Sequence, residues 1–254
     1  VIVPFPAGGG VDSAGRLLAT RLSESFAKSF VIENRGGANG NIGTEVVAKS
    51  AKDGYTLLFT GAGLVTNPSL YARVPYDAVK DFDAISLMAL GPNVLVVHPS
   101  LPVKSVPEMI ALARKNPEQL SYSHPGAGNS GHLAGELFNS MAKVKILAVP
   151  YKGTAPAGIA VLSGEVQLTF SSIPTVLPHV RAGRLRALGV GNAERVPSLP
   201  EFPTISESGL KGYEAYAWGG MLAPAGTPKE IVARLNKETV AAIRMKEISD
   251  QLLK

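Results

Sequence analysis

The segment that decides the fold is residues 120–170, LSYSHPGAGNSGHLAGELFNSMAKVKILAVPYKGTAPAGIAVLSGEVQLTF. Short runs of strand-forming residues alternate here with segments in which apolar residues recur at helical spacing. The predicted strands are 120–123, 146–150 and 166–170, and the predicted helices are 130–141 and 155–163. Because strands that alternate with helices form largely parallel sheets covered on both faces, this segment predicts an α/β fold.

The same alternation continues on both sides of this segment. Asp12 precedes an apolar-periodic run, so it is the expected N-cap of the first helix. Another helix follows the Thr227-Pro228 start signal near the end of the chain. The further predicted strands are 1–5, 30–33, 55–60, 84–90 and 185–190, and the further predicted helices are 12–26, 42–50, 106–115, 175–182 and 229–244.

Two stretches interrupt this rhythm and predict crossings between two domains. Residues 93–98 are extended and apolar and lead into prolines, whereas 196–214 is rich in proline and glycine and precedes the extended segment 216–222. Two α/β lobes joined by two strands would form a hinge, with a cleft between the lobes. The expected lobes are 1–96 together with 213–254, and 97–212.

Composition excludes several classes of protein. The chain has 254 residues, of which 45% are hydrophobic and 18% charged, so we expect a folded core rather than disorder. It has no cysteine, which excludes disulfides, thiolate metal sites and cysteine nucleophiles. The net charge is +5 and is dispersed, with Arg114-Lys115 as the adjacent basic pair. This pattern favours an anionic small molecule over nucleic acid as the partner.

No apolar run approaches the ~18 residues that a membrane-spanning helix needs. The chain opens directly on the strand-like sequence Val1-Ile2-Val3-Pro4-Phe5 and shows no signal peptide. We therefore expect that a leader has been removed, and its absence is not evidence for a cytoplasmic protein.

Three glycine-rich turns follow predicted strands and precede predicted helices, at 6–12, 60–63 and 125–131. Glycine lets the backbone approach a ligand closely, and the N–H groups at a helix start carry partial positive charge. Such turns bind anions without charged side chains, at the carboxyl ends of the strands. The simpler interpretation is that these glycines only turn the chain.

A dinucleotide site or an enzyme is the alternative function. Gly126, Gly128 and Gly131 fit the G-x-G-x-x-G pattern, but the acidic residue expected about 20 positions later is missing. A Walker loop is also missing. The four histidines, His98, His124, His132 and His179, have no metal-ligand spacing, and no nucleophile is paired with a base. We therefore expect no catalytic residue, metal or cofactor.

Motifs along nearly the whole chain, in order, resemble the Bug (TctC-like) family of extracytoplasmic solute receptors, which serve tripartite tricarboxylate transporters. The motifs that carry the resemblance include 4–12, 31–35, 40–43, 53–58, 132–136, 150–153 and 222–228. The resemblance implies a two-lobed periplasmic binding protein of type II, with two mostly parallel sheets, helices on both faces and a hinge of two crossing strands. It also implies a monomer in the periplasm that carries a small carboxylate in the interlobe cleft to a membrane permease.

In this family, glycine-rich loops of both lobes hold a ligand carboxylate through backbone amides, hydroxyls and ordered waters. The resemblance assigns this role to Ala7, Gly8, Gly9, Thr60, Gly61, Asn67 and Trp218 in the first lobe. In the second lobe it assigns the role to His124, Gly126, Gly128, Asn129, Ser130, Gly153, Thr154, Ala155 and Ser171. Trp218 can equally be a packing residue.

Three departures from the family pattern concern the ligand, and one of them is Asn129, which stands where relatives usually have a hydroxyl residue. Relatives commonly read Phe-Asp-Asn or Phe-Asp-Ser where this chain reads Phe170-Ser171-Ser172. Without an aspartate, a buried ligand ammonium would lack its counter-charge, so an amino acid is disfavoured.

His124 stands where relatives usually have serine. Its imidazole could donate to a second carboxylate, stack on an aromatic acid, or lie at the rim without a role. The sequence thus predicts a dicarboxylate or an aromatic acid, with an NAD(P)-binding or other α/β enzyme acting on an anion as the alternative.

Overall fold

The computed structural model describes residues 1–248. The chain divides into two compact units, one made of Val1–Leu90 and the segment from Trp218 onwards, the other of Gly91–Ala217. These boundaries differ by six and five residues from the domain limits expected from the sequence. Each crossing between the units is a continuous strand. The sequence pattern therefore shows no break at the residue where one unit ends and the other begins. The expected first lobe also includes 249–254, which lie outside the described residues.

The elements are numbered along the chain. They are β1 (Ile2–Val3), α1 (Gly10–Phe26), β2 (Glu33–Asn34), α2 (Asn41–Ala48), β3 (Leu58–Thr60), α3 (Gly63–Leu70), β4 (Phe82–Val97), α4 (Val106–Lys115), β5 (Ser121–His124), α5 (Ser130–Ala142), β6 (Leu147–Pro150), α6 (Thr154–Leu162), β7 (Leu168–Ser172), α7 (Ile173–Arg181), β8 (Arg186–Val190), β9 (Tyr216–Pro224) and α8 (Lys229–Arg244). A short 3₁₀ helix, Ala38–Gly40, precedes α2.

Most predicted elements are present, and the errors have local causes. Helices α4 and α8 have the predicted bounds, and α5 ends one residue later than predicted. The helix Gly63–Leu70 was not predicted because it is short, contains Pro68 and lacks a separate apolar face. The strand predicted at 30–33 is Glu33–Asn34, where backbone bonds pair it with β1.

Both sheets are mixed rather than uniformly parallel. In the first unit, β1 pairs in parallel with β2 and β3, whereas β9 is antiparallel to β3. In the second unit, β5 pairs in parallel with β6 and β7, whereas β4 is antiparallel to β7 and β8. The antiparallel pairs involve β4 and β9, the strands of the two crossings, which a strand–helix alternation does not describe.

The first unit has apolar clusters on both faces of its sheet. Val3, Leu57 and Phe59 pack with residues of α1 and α8, whereas the alternate positions Ile2 and Leu58 pack with residues of α2 and α3. Successive side chains of a strand point to opposite faces, so this sheet is covered by helices on both sides.

The second unit is built in the same way, and β4 shows it most clearly. Leu95 and Val97 belong to a cluster with residues of α4 and α5, whereas Val94 and Val96 belong to a cluster with residues of α6 and α7. The sheet is therefore buried on both faces, and its loops are left at the strand ends.

Candidate functional site

The turn between β1 and α1 is held by a buried carboxylate. Gly8 has φ +83°, a conformation that favours glycine, and Gly9 is the residue that precedes helix α1. The side chain of Asp12 is buried and accepts hydrogen bonds from Gly8 N at 2.9 Å, Arg16 Nε at 3.0 Å and Asn34 Nδ2 at 2.8 Å. The shape of the turn is thus fixed by one carboxylate.

The prediction that Asp12 is an N-cap is wrong. Gly9 is the N-cap and makes no side-chain bond, while Asp12 is the third helical residue and reaches back to Gly8. Burial alone would raise the pKa of Asp12, but the bonds from Arg16, Gly8 and Asn34 outweigh it and lower this pKa below its ordinary value of 3.8. The carboxylate therefore stays charged near neutral pH.

Asn34 supports the turn that follows β1, a role for which the sequence analysis did not single it out. Its Nδ2 also donates to the carbonyl of Phe5 at 3.0 Å, and its Oδ1 accepts from Arg16 at 2.9 Å. Asn34 therefore ties the end of β2 to the turn that follows β1. Its place directly after a predicted strand was the available signal, since polar residues at strand ends often serve the site there.

The turn after β3 is packed tightly against β9. Thr60 is buried at the end of β3, and Gly61 follows it. A Cβ on Gly61 would lie 2.8 Å from the carbonyl oxygen of Trp218, so the close approach of the two backbones requires glycine. Trp218 itself is half-buried and packs against the apolar cluster on this side of the sheet, so packing is one of its roles.

Asn67 belongs to a buried amide network. Its Oδ1 accepts from Asn39 Nδ2 at 2.8 Å, and its Nδ2 donates to the Asn39 carbonyl at 3.0 Å and to Asn41 Oδ1 at 2.7 Å. Tyr76 also donates to Asn41 Oδ1, at 2.9 Å. The sequence predicts Asn67 in the wall of the ligand site. In the structure, its side chain instead bonds α3 to the segment at the start of α2.

In the second unit, the turn between β5 and α5 is held by two histidines. His124, buried at the end of β5, accepts a hydrogen bond on Nδ1 from Gly126 N at 3.3 Å. His132 accepts on Nδ1 from Gly128 N at 3.2 Å. Both glycines have positive φ, +145° and +79°, so the turn depends on their conformational freedom.

The first turn of α5 is capped and close-packed. Asn129 is the N-cap, and its Oδ1 accepts from Gly131 N at 2.9 Å. A Cβ on Gly131 would lie 2.4 Å from the carbonyl oxygen of Phe170, so α5 begins in direct contact with β7. Ser130, the first residue of the helix, is half-buried beside them. The helix start is therefore held rigidly at the end of the sheet.

The two imidazoles lie together, with ring centroids 4.5 Å apart. Burial lowers the pKa of His124 below its ordinary 6.5, and the neighbouring His132 lowers it further. Because Nδ1 accepts from a backbone N–H, the neutral ring carries its proton on Nε2. His124 is thus a neutral donor at neutral pH.

We expect the free energy of unfolding of the wild type to fall relative to His124→Gln as the pH drops. The folded protein resists protonating His124, whose pKa is lowered, whereas the unfolded chain binds that proton near pH 6.5, so stability is lost as pH falls below that value. Urea unfolding of both proteins from pH 8.5 to 5 measures the difference. His179, whose pKa burial also lowers, titrates in both proteins and cancels. A difference that stays constant over this range would contradict the burial of a neutral His124.

Helices α6 and α7 begin at the same edge of the sheet as α5. Gly153, with φ +111°, precedes α6, whose first residues are Thr154 and Ala155. Ser171 is half-buried on β7 opposite Val94, and the next residue is the N-cap of α7. Since β6, β5 and β7 are parallel neighbours, their carboxyl ends place three helix starts side by side.

The structure therefore brings the predicted residues of the second unit to one sheet edge. These are His124, Gly126, Gly128, Asn129, Ser130, Gly153, Thr154, Ala155 and Ser171. In the first unit, β1 and β3 are parallel neighbours, so the turns after them share an edge. The residues there are Ala7, Gly8, Gly9, Thr60 and Gly61, whereas Asn67 lies within α3.

The described part of the chain contains neither a candidate metal site nor a candidate membrane-spanning helix. Residues 1–248 contain no cluster of three histidine or acidic side chains that could hold a metal ion. Among the helices of the same residues, none has the length and apolar character to cross a membrane. The edges described above rely instead on backbone amides, hydroxyls and a neutral imidazole, which suit an anion.

Two α/β units, connected twice by extended strands and carrying helix starts along their sheet edges, define the class of two-lobed periplasmic binding proteins. The profile of the tripartite tricarboxylate transporter family receptor, TctC, matches residues 14–254. The chain belongs to this family, which is a family of receptors and not of enzymes, so the enzyme alternative is set aside.

Individual relatives agree with this assignment. Among solved structures, R. palustris Rpa4515 with adipate has a TM-score of 0.95 and 43% identity, over 98% of this chain and 84% of that one. MatC from Rhodopseudomonas palustris with bound malate has a TM-score of 0.91 and 31% identity, over 99% and 87%. The protein BugT of Bordetella pertussis is 37% identical, over 98% of this chain and 77% of its own length.

Proposed function

We propose that this chain is a solute receptor that binds a small carboxylate, either a dicarboxylate or an aromatic acid. The observation that carries the proposal is the edge formed by β6, β5 and β7, where three helix starts, three positive-φ glycines and the neutral His124 lie together. Backbone N–H groups at helix starts stabilise anionic groups without a buried counter-charge.

The relatives support a carboxylate as the ligand class. Rpa4515 was solved with adipate and MatC with malate, and both ligands are dicarboxylates. The residues proposed to bind the ligand are those that the sequence assigned in both units, with Asn67 in a supporting role. The interlobe cleft, and the part of Trp218 in it, remain predictions from the sequence.

An α-amino acid is disfavoured because the site residues of the second unit supply no carboxylate for an ammonium group. Ser171 is a neutral hydroxyl, and the nearby Glu136 accepts a hydrogen bond from the buried Tyr122 at 2.8 Å. In the first unit, the carboxylate of Asp12 is saturated by Arg16, Gly8 and Asn34. A buried ammonium without a partner is costly.

A thermal-shift screen tests the proposal with adipate, malate, benzoate and nicotinate against aspartate, glutamate and NAD. A ligand at 100 times its Kd adds about 2.7 kcal/mol, which for a chain of this length raises Tm by about 5–10 °C. We expect that rise with one or more of the first four compounds. Stabilisation by NAD alone would contradict the receptor function, and the largest shift with aspartate or glutamate would contradict the argument from Ser171.

Delivery to a membrane permease of the tripartite tricarboxylate type, residence in the periplasm and a monomeric state are further parts of the proposal. They rest on the family to which the chain belongs. Ligand binding would shift a hinge equilibrium only by its differential affinity for the closed form. Light scattering with and without ligand tests the monomer, since a mass near twice 26.5 kDa would contradict it.

A further inference from the structure

Asn93 has a buried amide with no partner among the residues that the structure describes. The residue is 2% exposed, and its Nδ2 lacks an acceptor among the described residues. Its backbone is fully paired, because Asn93 N donates to Ala215 O and Gly191 N donates to Asn93 O, each at 2.8 Å. A buried donor without an acceptor is costly, so the position needs an explanation beyond packing.

The position of Asn93 along the sheet places it at the edge of the candidate site. Strand β4 is antiparallel to β7, and Asn93 pairs with Ser172, the last residue of β7. This part of β4 therefore lies at the carboxyl end of β7, beside the start of α7. That end is also the edge at which His124 closes β5 and helix α5 begins.

Successive side chains of β4 point to opposite faces of the sheet, and this alternation gives the direction of the Asn93 side chain. Leu95 and Val97 point to the face that carries α4 and α5, so Asn93, two residues before Leu95 in the same register, points to that face as well. On β5, Tyr122 points to the same face. His124 lies two residues after Tyr122 on this strand, so it points to that face as well. The amide is thus aimed along the face on which the start of α5 and His124 lie.

We propose that Asn93 is a further ligand-binding residue, whose Nδ2 donates a hydrogen bond to a carboxylate oxygen of the bound acid. The assignment rests on the proposed function. The unpaired donor destabilises the ligand-free protein, and the bond to the ligand removes that penalty. Part of the binding free energy therefore comes from pairing a buried amide that has no acceptor among the described residues.

The experiment compares wild type with Asn93→Leu, which has the same number and branching of side-chain heavy atoms and no polar group. We expect the ligand-free Tm of the variant to equal or exceed that of wild type, because an unpaired buried amide is removed. The Kd, measured by calorimetry with whichever of adipate, malate and benzoate binds wild type most tightly, should weaken at least tenfold. A residue that only packs would show the first effect without the second.

Thr239→Val is the matched control. Thr239 is also fully buried, and its Oγ1 has no partner within residues 1–248, but it lies in α8 of the other unit. Its replacement should leave Kd within twofold of wild type. Asn93→Asp, which keeps the shape but replaces the donor with an acceptor, should weaken binding more than Asn93→Leu does.

The outcomes separate the two claims. If wild type binds the acid and Asn93→Leu binds it within twofold of wild type, the assignment of Asn93 is overturned and the receptor function stands. If wild type binds none of the acids, both are overturned. Should Asn93→Leu not fold, Asn93→Ala takes its place under the same criteria.

Discussion

Gly131→Ala should lower the free energy of unfolding by about 1–3 kcal/mol and weaken carboxylate binding at least tenfold. The new methyl group would lie 2.4 Å from the backbone oxygen of Phe170. Phe170 cannot yield easily, because β7 is paired on both sides, with β4 and with β5. The first turn of α5 must therefore move away from the sheet edge, and the helix start no longer meets the ligand.

Gly158→Ala is the matched control for this substitution. Gly158 also lies in a helix of the second unit, α6, but nothing stands within 4 Å of the position that its Cβ would take. There the change should stabilise the protein by about 0.5–1 kcal/mol, because alanine loses less entropy than glycine in a helix. Thermal unfolding and calorimetry of both variants measure the contrast. Equal effects would show that contact with β7 does not govern α5.

Asp12→Ala should lower the free energy of unfolding by about 2 kcal/mol and weaken binding at least tenfold, since bonds to a charged group contribute about 1.5–3 kcal/mol each. The loss corresponds to about one such bond, because Gly8 is exposed and the Arg16 side chain is 52% exposed, so water replaces part of what is lost. The turn after β1 then loses the acceptor that orients it. Chemical denaturation at pH 7 and calorimetry provide the two measurements.

The pH dependence of that loss identifies its cause. The pKa of Asp12 is lowered in the folded protein, so its stabilising effect is complete above the ordinary pKa of 3.8 and is lost as pH falls through the folded value. The difference between wild type and Asp12→Ala should therefore shrink below about pH 4. Arg16→Gln, which removes only an exposed partner, should cost less than about 1 kcal/mol. A larger loss for Arg16→Gln than for Asp12→Ala would contradict the central role of the carboxylate.

Helices with a clear apolar stripe could be predicted from the sequence, and α4 and α8 have the predicted bounds. Helix α3 could not, because it is short, its sequence includes Pro68 and it has no distinct apolar face. Its place is decided by the buried amide network of Asn67, Asn39 and Asn41. Such a network joins residues far apart in the chain, and no local periodicity reports it.

Some features of the candidate site could likewise be predicted from the sequence, whereas others could not. Glycine-rich turns were visible as patterns, and the structure places them at helix starts. The role of Asp12 was mistaken because a first-turn acid next to glycines suggests a cap, while its real partners include Asn34 on a neighbouring strand. The pairing of Asn93 with the last residue of β7, on which its proposed role depends, has no signal in the local sequence.

By itself, the sequence determined the α/β class and the family motifs, because strand and helix periodicities and glycine-rich turns are local properties of the chain. Only the tertiary structure decided that the strands of the crossings pair in antiparallel fashion, which helix starts share an edge, and which buried amide has no acceptor within the described part of the chain. The physical reason is that strand pairing sets both the neighbour and the face of every side chain, and pairing partners are chosen by the folded chain as a whole.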